Sequence, residues 1–392
     1  MVQGRPPKPA EAFPSGRRGM PMTDYCAPML LFFALGVAGA MSGCSGGPPP
    51  PVTFTLTDLG TLDGTESYAC AVNDGGQVAG YATTKDNGSD AAGSRPPGSS
   101  PNVHTVKWTG KAVVDLGAIG GAPGCSQGIN DAGQVAGYSR VAGTTNVHAT
   151  LWNGTAPTDL GTVAGNISIA VGINAKGEVA GDSTIGDTRL EHAALWSGGT
   201  ATDLGTLGGR TSTATAINDS GSVVGFADMT GDFKIHAALW KGGAPIDLGT
   251  LSGGDYSFAM AINNRGVVAG YSMLYANTET HAAVWVGSKI VDLRALGGEF
   301  STALGINDVG LVVGDAALKG NSPTHAALWI GTAIYDLNDL LDSSGRGWTL
   351  FEARDINSSG QIVGNGRSPS GEPHGFLLTP TKPIPLPAKH KP

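Results

Sequence analysis

The chain has 392 residues, of which 62 are Gly and 14% are charged, and its formal net charge at pH 7 is −8. This Gly content is typical of a turn-rich β protein rather than a helical one. The acidic balance, without any basic stripe, argues against nucleic acid as a partner.

The first 44 residues carry signals for export. Arg17 and Arg18 precede an apolar segment, APMLLFFALGVAGAM at 27–41. This segment is short for a membrane span and has the length of a signal-peptide core. The sequence Met41-Ser42-Gly43-Cys44 then resembles the lipobox of bacterial lipoproteins, with small residues directly before the Cys. We therefore predict a lipoprotein-type signal peptide over 1–44 and lipidation of Cys44.

Some residues of this region leave alternatives open. Met41 replaces the usual Leu, and Asp24 and Pro28 weaken the apolar signal. Plain secretion and a cytoplasmic location are the alternatives, and translation could start at Met20 or Met22 instead of the first residue.

Three segments of low apolar content have no strand pattern. Residues 45–52 contain a Pro run that predicts a stiff, extended tether. Residues 85–102 lengthen the first repeat and predict a mobile loop. The Pro-rich tail at 379–392 is expected to be disordered.

Seven near-copies of one unit occupy 53–378 with a period of roughly 45 residues, which indicates a propeller, a solenoid or another repeat array. Every unit contains an Asp-Leu, an Asn with a Gly three residues later, a Gly that closes an apolar run, and a His. A Trp follows the His by four residues in six units, and Leu378 replaces it in the seventh. In the fourth unit the landmarks, to which we assign structural roles, are Asp203, Asn218, Gly221, Gly225, His236 and Trp240.

Each unit contains four short strand signals, lettered a to d. In the fourth unit they cover 213–218, 222–226, 236–240 and 244–251. Asn-Asp-Ser-Gly after strand a and Lys-Gly-Gly after strand c predict tight turns, because Asn bonds nearby backbone and Gly accepts positive φ. Strands b and c are apolar at consecutive positions, which predicts burial on both faces.

These patterns predict an all-β fold, a seven-bladed β-propeller with four antiparallel strands per blade. The last unit ends at strand c, 374–378, whereas an additional strand d, 53–60, precedes the first unit. If this N-terminal strand completes the last blade, the ring closes without an unpaired edge. An open β-solenoid is the alternative, although it would more naturally carry polar capping repeats.

The predicted ligand surface is the face that carries the b–c loops and the d–a connections, because these vary between units while the a–b and c–d turns are uniform. Aromatic side chains beside polar groups suit a sugar or a peptide, although the same residues could be exposed loop residues without a role. The ligand-binding candidates are Arg210, Tyr256, Phe258, Tyr275, Phe300 and Trp348, with Asp187, Arg189, Asp232, Lys234 and Arg294 as further polar members.

The repeated His residues are not expected to bind metal, because one position per unit spreads them around a ring. We expect each to bond backbone or the Asp of the Asp-Leu. Cys70 and Cys125 lie in strands a of adjacent units, where we expect buried small residues, with a disulfide as the alternative. No P-loop, dinucleotide fingerprint or zinc-protease helix motif occurs, so we predict no cofactor and no catalytic residue.

The recurring DLGTLGG, IN, VVG, HA and LW pattern resembles the HAF repeat family of bacterial extracellular proteins, named for His-Ala-Phe at the start of strand c. Units two to six have His-Ala-Ala or His-Ala-Thr there, and the first and last units have His-Thr-Val and His-Gly-Phe. The resemblance covers 53–378. It implies a secreted or surface-anchored protein and transfers no catalytic residue.

The sequence thus favours a monomeric, non-catalytic binding or scaffold protein at the cell surface or in the periplasm. Its partner would be a glycan or a protein, and its only contact with the membrane would be the lipid anchor. The alternatives are a hydrolase or lyase that acts on polysaccharide or peptide in the central funnel, and an adhesive protein that uses the loop at 85–102.

Overall fold

The computed structural model describes residues 52–85, 103–120, 124–186, 190–231, 233–274 and 277–386. They form seven blades of four antiparallel strands lettered a to d from the ring axis outward, and one parallel pair, Thr280 with Phe300, joins blades 5 and 6 into a single sheet. The predicted fold class is therefore confirmed. The signal segment, Cys44, the tether up to residue 51 and the loop at 86–102 lie outside the described residues.

The strands have the following bounds in chain order. Blades 1 to 3 contain β2 (Ser67–Val72), β3 (Gln77–Thr83), β4 (Val103–Thr109), β5 (Ala112–Asp115); β6 (Gly124–Ile129), β7 (Val135–Arg140), β8 (Val147–Asn153), β9 (Ala156–Asp159); β10 (Ser168–Ile173), β11 (Val179–Ile185), β12 (Leu190–Ser197) and β13 (Thr200–Asp203). Blades 4 and 5 contain β14 (Gly208–Ile217), β15 (Val223–Met229), β16 (Ile235–Trp240), β17 (Ile246–Asp247); β18 (Ser257–Ile262), β19 (Val268–Leu274), β20 (Glu279–Val286) and β21 (Lys289–Asp292). Blades 6 and 7 contain β22 (Gly297–Ile306), β23 (Leu311–Leu318), β24 (Thr324–Ile330), β25 (Ala333–Asp336); β26 (Thr349–Ile356), β27 (Ile362–Arg367), β28 (Pro373–Pro380) and β1 (Phe54–Asp58).

The two ends of the repeat region meet in blade 7. The N-terminal strand β1 pairs antiparallel with β28, and Leu56 lies opposite Leu378. This pairing supplies the fourth strand that the last repeat lacks, so the predicted closure is confirmed.

A short insertion before blade 7 covers the outer edge of β1. It contains two 3-10 helices, Leu337–Leu340 and Ser343–Gly345. The Asp342 amide donates to the Phe54 carbonyl at 2.9 Å, and the Leu56 amide donates to Ser344 Oγ at 2.7 Å. These bonds satisfy backbone groups that an exposed edge strand would leave open.

Gly in strand b is required by a bulge in strand a. In blade 4 the register shifts between Ala214 and Ala216, which leaves Thr215 unpaired and brings the Thr213 carbonyl towards strand b. A Cβ at Gly225 would overlap this carbonyl oxygen. The same overlap would arise at the equivalent Gly of five other blades: Gly80, Gly181, Gly270, Gly314 and Gly364.

The core lies between the faces of neighbouring blades. Ala237 and Ala238 are both fully buried, as the consecutive apolar pattern of strand c predicts. All six repeated Trp side chains are buried, and Leu378 is buried at the seventh position. Small residues on strands b and c therefore let adjacent sheets approach closely around each indole.

The strand bounds differ from the expected ones at the outer edge and at the C-terminus. Strand d of blade 4 is only β17, because the Gly249 amide turns back to Asp247 Oδ1 at 2.7 Å and Gly249 has a φ of +72°. Strand β28 continues to Pro380, beyond the expected end of the repeats. Ile384 then packs against the apolar core of blades 6 and 7, so this part of the Pro-rich tail is held against the ring.

Candidate functional site

The seven repeated His side chains occupy separate positions around the ring. Nδ1 of each His forms a hydrogen bond of 2.6–2.9 Å with the Asp of an Asp-Leu motif on strand d. The partner of His236 is Asp247, and His374 of blade 7 bonds Asp58 of β1. The expected His–Asp bond is therefore present in every blade, where it ties strand c to strand d.

The seven repeated Asn side chains form a closed ring around the axis. Nδ2 of each Asn donates to the carbonyl oxygen of the equivalent Asn in the next blade at 3.0–3.1 Å, and Asn357 closes the circle on Asn73. Oδ1 of Asn218 accepts from the Ser220 and Ser222 amides of its own turn. From sequence, Asn is expected only to shape the turn. Its presence in all seven units, where other turn residues vary, is the signal for this second role.

A polar cavity of about 240 Å³ opens on the axis at the face of the a–b turns. Its wall contains the Asn ring and, after four of the seven ring Asn residues, the carboxylates of Asp74, Asp131, Asp219 and Asp308. Within the described ranges, no three His, Cys, Asp or Glu side chains are placed to hold one metal ion. The cavity lies on the face opposite to the predicted ligand surface.

The predicted ligand residues that the structure describes belong to blades 4, 5 and 6 and to the insertion before blade 7. Arg210 is exposed on β14 of blade 4, and Phe300 pairs with Thr280 where blades 5 and 6 meet. Trp348 of the insertion packs against the core of blades 6 and 7, with its ring 6.2 Å from that of His374.

Tyr256 and Phe258 of blade 5 have different environments. Tyr256 lies beside Ile235, and its hydroxyl donates to the Phe233 carbonyl at 3.4 Å. Phe258 packs between Phe226, at 4.9 Å, and Tyr271, at 4.8 Å between ring centroids. Phe258 is therefore an inter-blade aromatic residue and not a loop residue.

Among the further polar members, Lys234 forms a 2.6 Å ion pair with Asp255. The Arg294 amide donates to Asp292 Oδ1 at 2.7 Å, and Arg294 is exposed at a φ of +60°. Tyr275, Asp187, Arg189 and Asp232 lie outside the described residues.

The inner strand of blade 7 carries charged side chains at two positions where the other blades carry uncharged ones. Glu352 lies five residues before the ring Asn of its blade, and the same position holds Tyr68, Ile169, Thr213, Phe258 and Thr302 in other blades. Arg354 lies three residues before the ring Asn, where Cys70, Val171, Thr215, Met260 and Leu304 are found elsewhere. Asp315 and Asn365 follow the Gly of strand b in blades 6 and 7, and Tyr81 does so in blade 1. Blade 3 also has a carboxylate at this position, Asp182, which accepts from the Ala214 amide of blade 4 at 3.0 Å. We define the channel cluster as Asp315, Glu352, Arg354, Asn365, Tyr68 and Tyr81.

Glu352 is at the centre of the bonds within the channel cluster. Arg354 Nη1 donates to Glu352 Oε1 at 3.0 Å, and Asn365 Nδ2 donates to Glu352 Oε2 at 3.1 Å. Asn365 Oδ1 also accepts from the Ala69 amide of blade 1 at 2.9 Å. Ring closure therefore brings the charged pair of blade 7 against the inner strand of blade 1.

Burial strongly perturbs the titration of this region. The pKa of Asp315 is raised to about 7, mainly by desolvation, with a hydrogen bond from Thr302 opposing the rise and the charge of Glu352 adding to it. The charge of Glu352 raises the pKa of the Arg354 guanidinium. Burial also raises the pKa of Tyr68 to about 12, so its hydroxyl is a hydrogen-bond donor at neutral pH.

Cys70 lies in the same region. It is a free thiol that is largely buried, and its desolvation raises its pKa to about 11. The side chain of Cys125 lies outside the described residues, so the environment expected for it stays a prediction.

Sequence comparison identifies no relatives: no family model and no curated protein matches the chain. The resemblance to the HAF repeat family therefore stays a prediction. No helix in the described part of the chain has the length and apolar character that a bilayer span requires.

Comparison of folds finds β-propellers. The β-propeller domain of the Trilobed protease from Pyrococcus furiosus is 12% identical, with a TM-score of 0.52 over 82% of this chain and 100% of that domain. That domain is described as having an open velcro topology, whereas the ring of this chain is closed by β1 and β28.

Two further solved structures are less similar to this chain. TolB from Acinetobacter baumannii is 10% identical, with a TM-score of 0.43 over 79% of this chain and 64% of that chain. The gluconolactonase XC5397 from Xanthomonas campestris is 10% identical, with a TM-score of 0.34 over 86% of this chain and 99% of that chain. At such identities the likeness concerns the fold alone. The chain is similar to β-propellers in its architecture.

Proposed function

We propose that this chain is an exported, non-catalytic binding or scaffold protein whose ligand enters the axial channel from the face of the b–c loops and d–a connections. The convergence of the channel cluster carries this proposal. Polar residues that repeat around the ring, such as His236 and Asn218, are engaged in structural bonds. The Glu352–Arg354 pair, which no other blade has at these positions, lies on the inner strand of blade 7 against the inner strand of blade 1, and Asp315, Asn365 and Tyr81 lie on strands b of blades 6, 7 and 1. A few convergent polar groups with perturbed pKa values on a rigid scaffold are typical of a ligand site.

The alternative is a purely structural role, in which the buried Arg354–Glu352 pair only fixes the contact between blades 7 and 1. Buried ion pairs rarely stabilise a fold more than apolar residues of similar size would. Six other blades pack without such a pair, so packing alone does not require it.

A ligand screen with matched variants tests the proposed site. We expect immobilised wild-type protein to capture a glycan or a protein from a screen, and Arg354→Gln to lose that capture. Arg265→Gln is the control, because Arg265 lies exposed in the a–b turn of blade 5. Capture by both variants, or no capture above background by the wild type, would contradict the proposal.

Export and lipid anchoring rest on the apolar segment at 27–41 and on the residues before Cys44. We expect the full chain, expressed in a bacterium, to incorporate labelled fatty acid and to fractionate with membranes. Cys44→Ala should abolish both properties, while Cys26→Ala, in the signal region, should preserve them. Unlabelled wild-type protein in the soluble fraction would show that the chain has no lipid anchor.

A hydrolase or lyase is the second candidate function, and one observation favours it. Asp315 and Glu352 are carboxyl groups of the neighbouring blades 6 and 7, and the charge of Glu352 contributes to the raised pKa of Asp315, which is about 7. A carboxyl group that titrates near neutral pH can act as a general acid or base. Turnover of a polysaccharide or a peptide that Glu352→Gln abolishes, with ligand binding retained, would establish this function in place of the first.

A further inference from the structure

The channel cluster contains hydrogen-bond donors that the protein does not use. Arg354 has five N–H groups, and in the described part of the chain it makes one hydrogen bond, to Glu352. The hydroxyl of Tyr81 has no partner among the described residues, although the side chain is only 6% exposed. Neither donor is among the fully buried unpaired atoms of the described residues, so both reach solvent and suit a ligand that supplies oxygen acceptors.

The open donors lie close together. The charge of Arg354 acts on the pKa of both Tyr81 and Cys70, and Tyr68 stacks on Tyr81 at 4.9 Å between ring centroids. The hydroxyl of Tyr68 also has no hydrogen-bond partner within the described ranges. Because strand a is the innermost strand, the exposed 21% of the Arg354 side chain faces the channel.

The same site presents acceptors and nearly balanced charge. Glu352 and Asp315 supply carboxyl oxygens, and the charge of Arg354 opposes that of Glu352. Nearby Arg367 and Glu66 act on Tyr68 with opposite signs. An anionic group would therefore meet Glu352 and Asp315, and a cationic group would meet Arg354. A neutral hydroxyl both donates and accepts, so it can satisfy both kinds of partner.

We propose that the channel cluster binds a neutral saccharide unit, whose hydroxyls accept from Arg354, Tyr68 and Tyr81 and donate to Glu352 and Asp315. The proposal rests on the proposed function, because it names the ligand class of that same site. The flat faces of the tyrosine rings add the apolar contact that a sugar ring offers on its C–H face.

Calorimetric titration of the full chain with matched sugars tests this inference. The probes are neutral tetrasaccharides of glucose, galactose and mannose, together with counterparts that end in a uronate or an amino sugar. We expect at least one neutral tetrasaccharide to bind, and its charged counterparts to bind at least tenfold more weakly. Arg265→Gln should bind like the wild type.

Tyr81→Phe is the decisive variant, because it removes only a hydroxyl that has no protein partner. We expect it to keep the melting temperature of the wild type and to lose affinity for the neutral sugar by at least fivefold. Arg354→Gln should lose at least tenfold, with the melting temperature recorded to detect misfolding. Equal sugar affinity in Tyr81→Phe and wild type would overturn the proposal, as would preferential binding of a charged sugar.

The outcomes separate this inference from the proposed function. One outcome is that the wild type captures a peptide or a protein, that Arg354→Gln loses this capture, and that no saccharide binds. In that case the channel site is supported and the saccharide class is wrong. If a sugar binds and every channel variant keeps its affinity, the sugar lies elsewhere and the site is wrong. If nothing binds to the wild type in either screen, both proposals fail.

Discussion

At the residue scale, Gly225 leaves room for the bulge of the neighbouring strand a. The bulge at Thr215 directs the Thr213 carbonyl at the position where any larger residue would place its Cβ. We expect Gly225→Ala to lower the free energy of unfolding by about 2–4 kcal/mol, because the overlap is with rigid backbone.

Urea unfolding of the two proteins measures this loss. Gly243→Ala is the matched control, because a Cβ there would meet nothing within 4 Å, and its stability should stay within about 0.5 kcal/mol of the wild type. Equal stability of Gly225→Ala and the wild type would refute this explanation of the repeated Gly.

The burial of Asp315 makes the free energy of unfolding depend on pH. Its pKa in the fold is about 7 against a usual value of 3.8, so the folded protein binds this proton more tightly than the unfolded chain. The stability that the protonated group contributes is complete below about pH 4 and is lost as the pH rises to about 7. Each pKa unit of difference corresponds to about 1.4 kcal/mol.

We expect the free energy of unfolding to fall between pH 5 and pH 8, and Asp315→Asn to reduce that fall. Asn is uncharged at both pH values and keeps an oxygen for the Thr302 hydroxyl. Part of the fall should remain, because burial also raises the pKa of Asp355 to about 6. The same decrease in Asp315→Asn as in the wild type would contradict the burial of a titrating Asp315.

Residue roles could be predicted from sequence only where the repeat itself carried the signal. The His–Asp bond followed from two residues that recur together in seven units. Glu352 and Arg354 could not be recognised, because the bulge in strand a decides which side chains face the channel and no local pattern marks that bulge. Asn365 contacts Ala69 across 296 positions of the chain, which no local pattern reveals.

At the scale of the element, the a–b turn joins the blades as well as reversing the chain. Asn218 Nδ2 donates to the Asn263 carbonyl at 3.1 Å, while Oδ1 holds the turn. Asn218→Asp should keep the turn bonds and lose the donor, and it places a carboxylate against a carbonyl oxygen. We expect it to lower the free energy of unfolding by about 1–3 kcal/mol.

The reverse change at the next residue is the control for this prediction. Asp219→Asn keeps the oxygen that accepts from the Ala175 amide at 2.8 Å and loses only an exposed acceptor of Asn264 Nδ2, so it should lose less stability than Asn218→Asp. If Asn218→Asp is as stable as Asp219→Asn, the Asn ring contributes nothing to the fold.

The elements themselves could largely be predicted from sequence, because turn chemistry and apolar runs are local. Strand d could not be bounded, since β17 ends where Asp247 folds the chain back through Gly249. The cover of β1 by 337–345 could not be predicted either, because it depends on backbone bonds between distant segments.

At the scale of the whole molecule, the channel cluster forms only when the ring closes. Blade 7 is complete only when β1 pairs with β28, and blade 7 then places Glu352 and Asn365 against the inner strand of blade 1. Counting strands along the sequence was sufficient to predict this closure. The position of the cluster depends on it.

Thermal unfolding of two truncated chains tests the closure most directly. A chain that starts at residue 52 keeps β1, and a chain that starts at residue 59 lacks it together with the buried side chains of Phe54 and Leu56. Burial of each such side chain contributes about 1.5–3 kcal/mol. We predict that the shorter chain melts at least about 10 °C below the longer one, or does not fold. Equal melting temperatures would contradict a ring that is closed by its N-terminal strand.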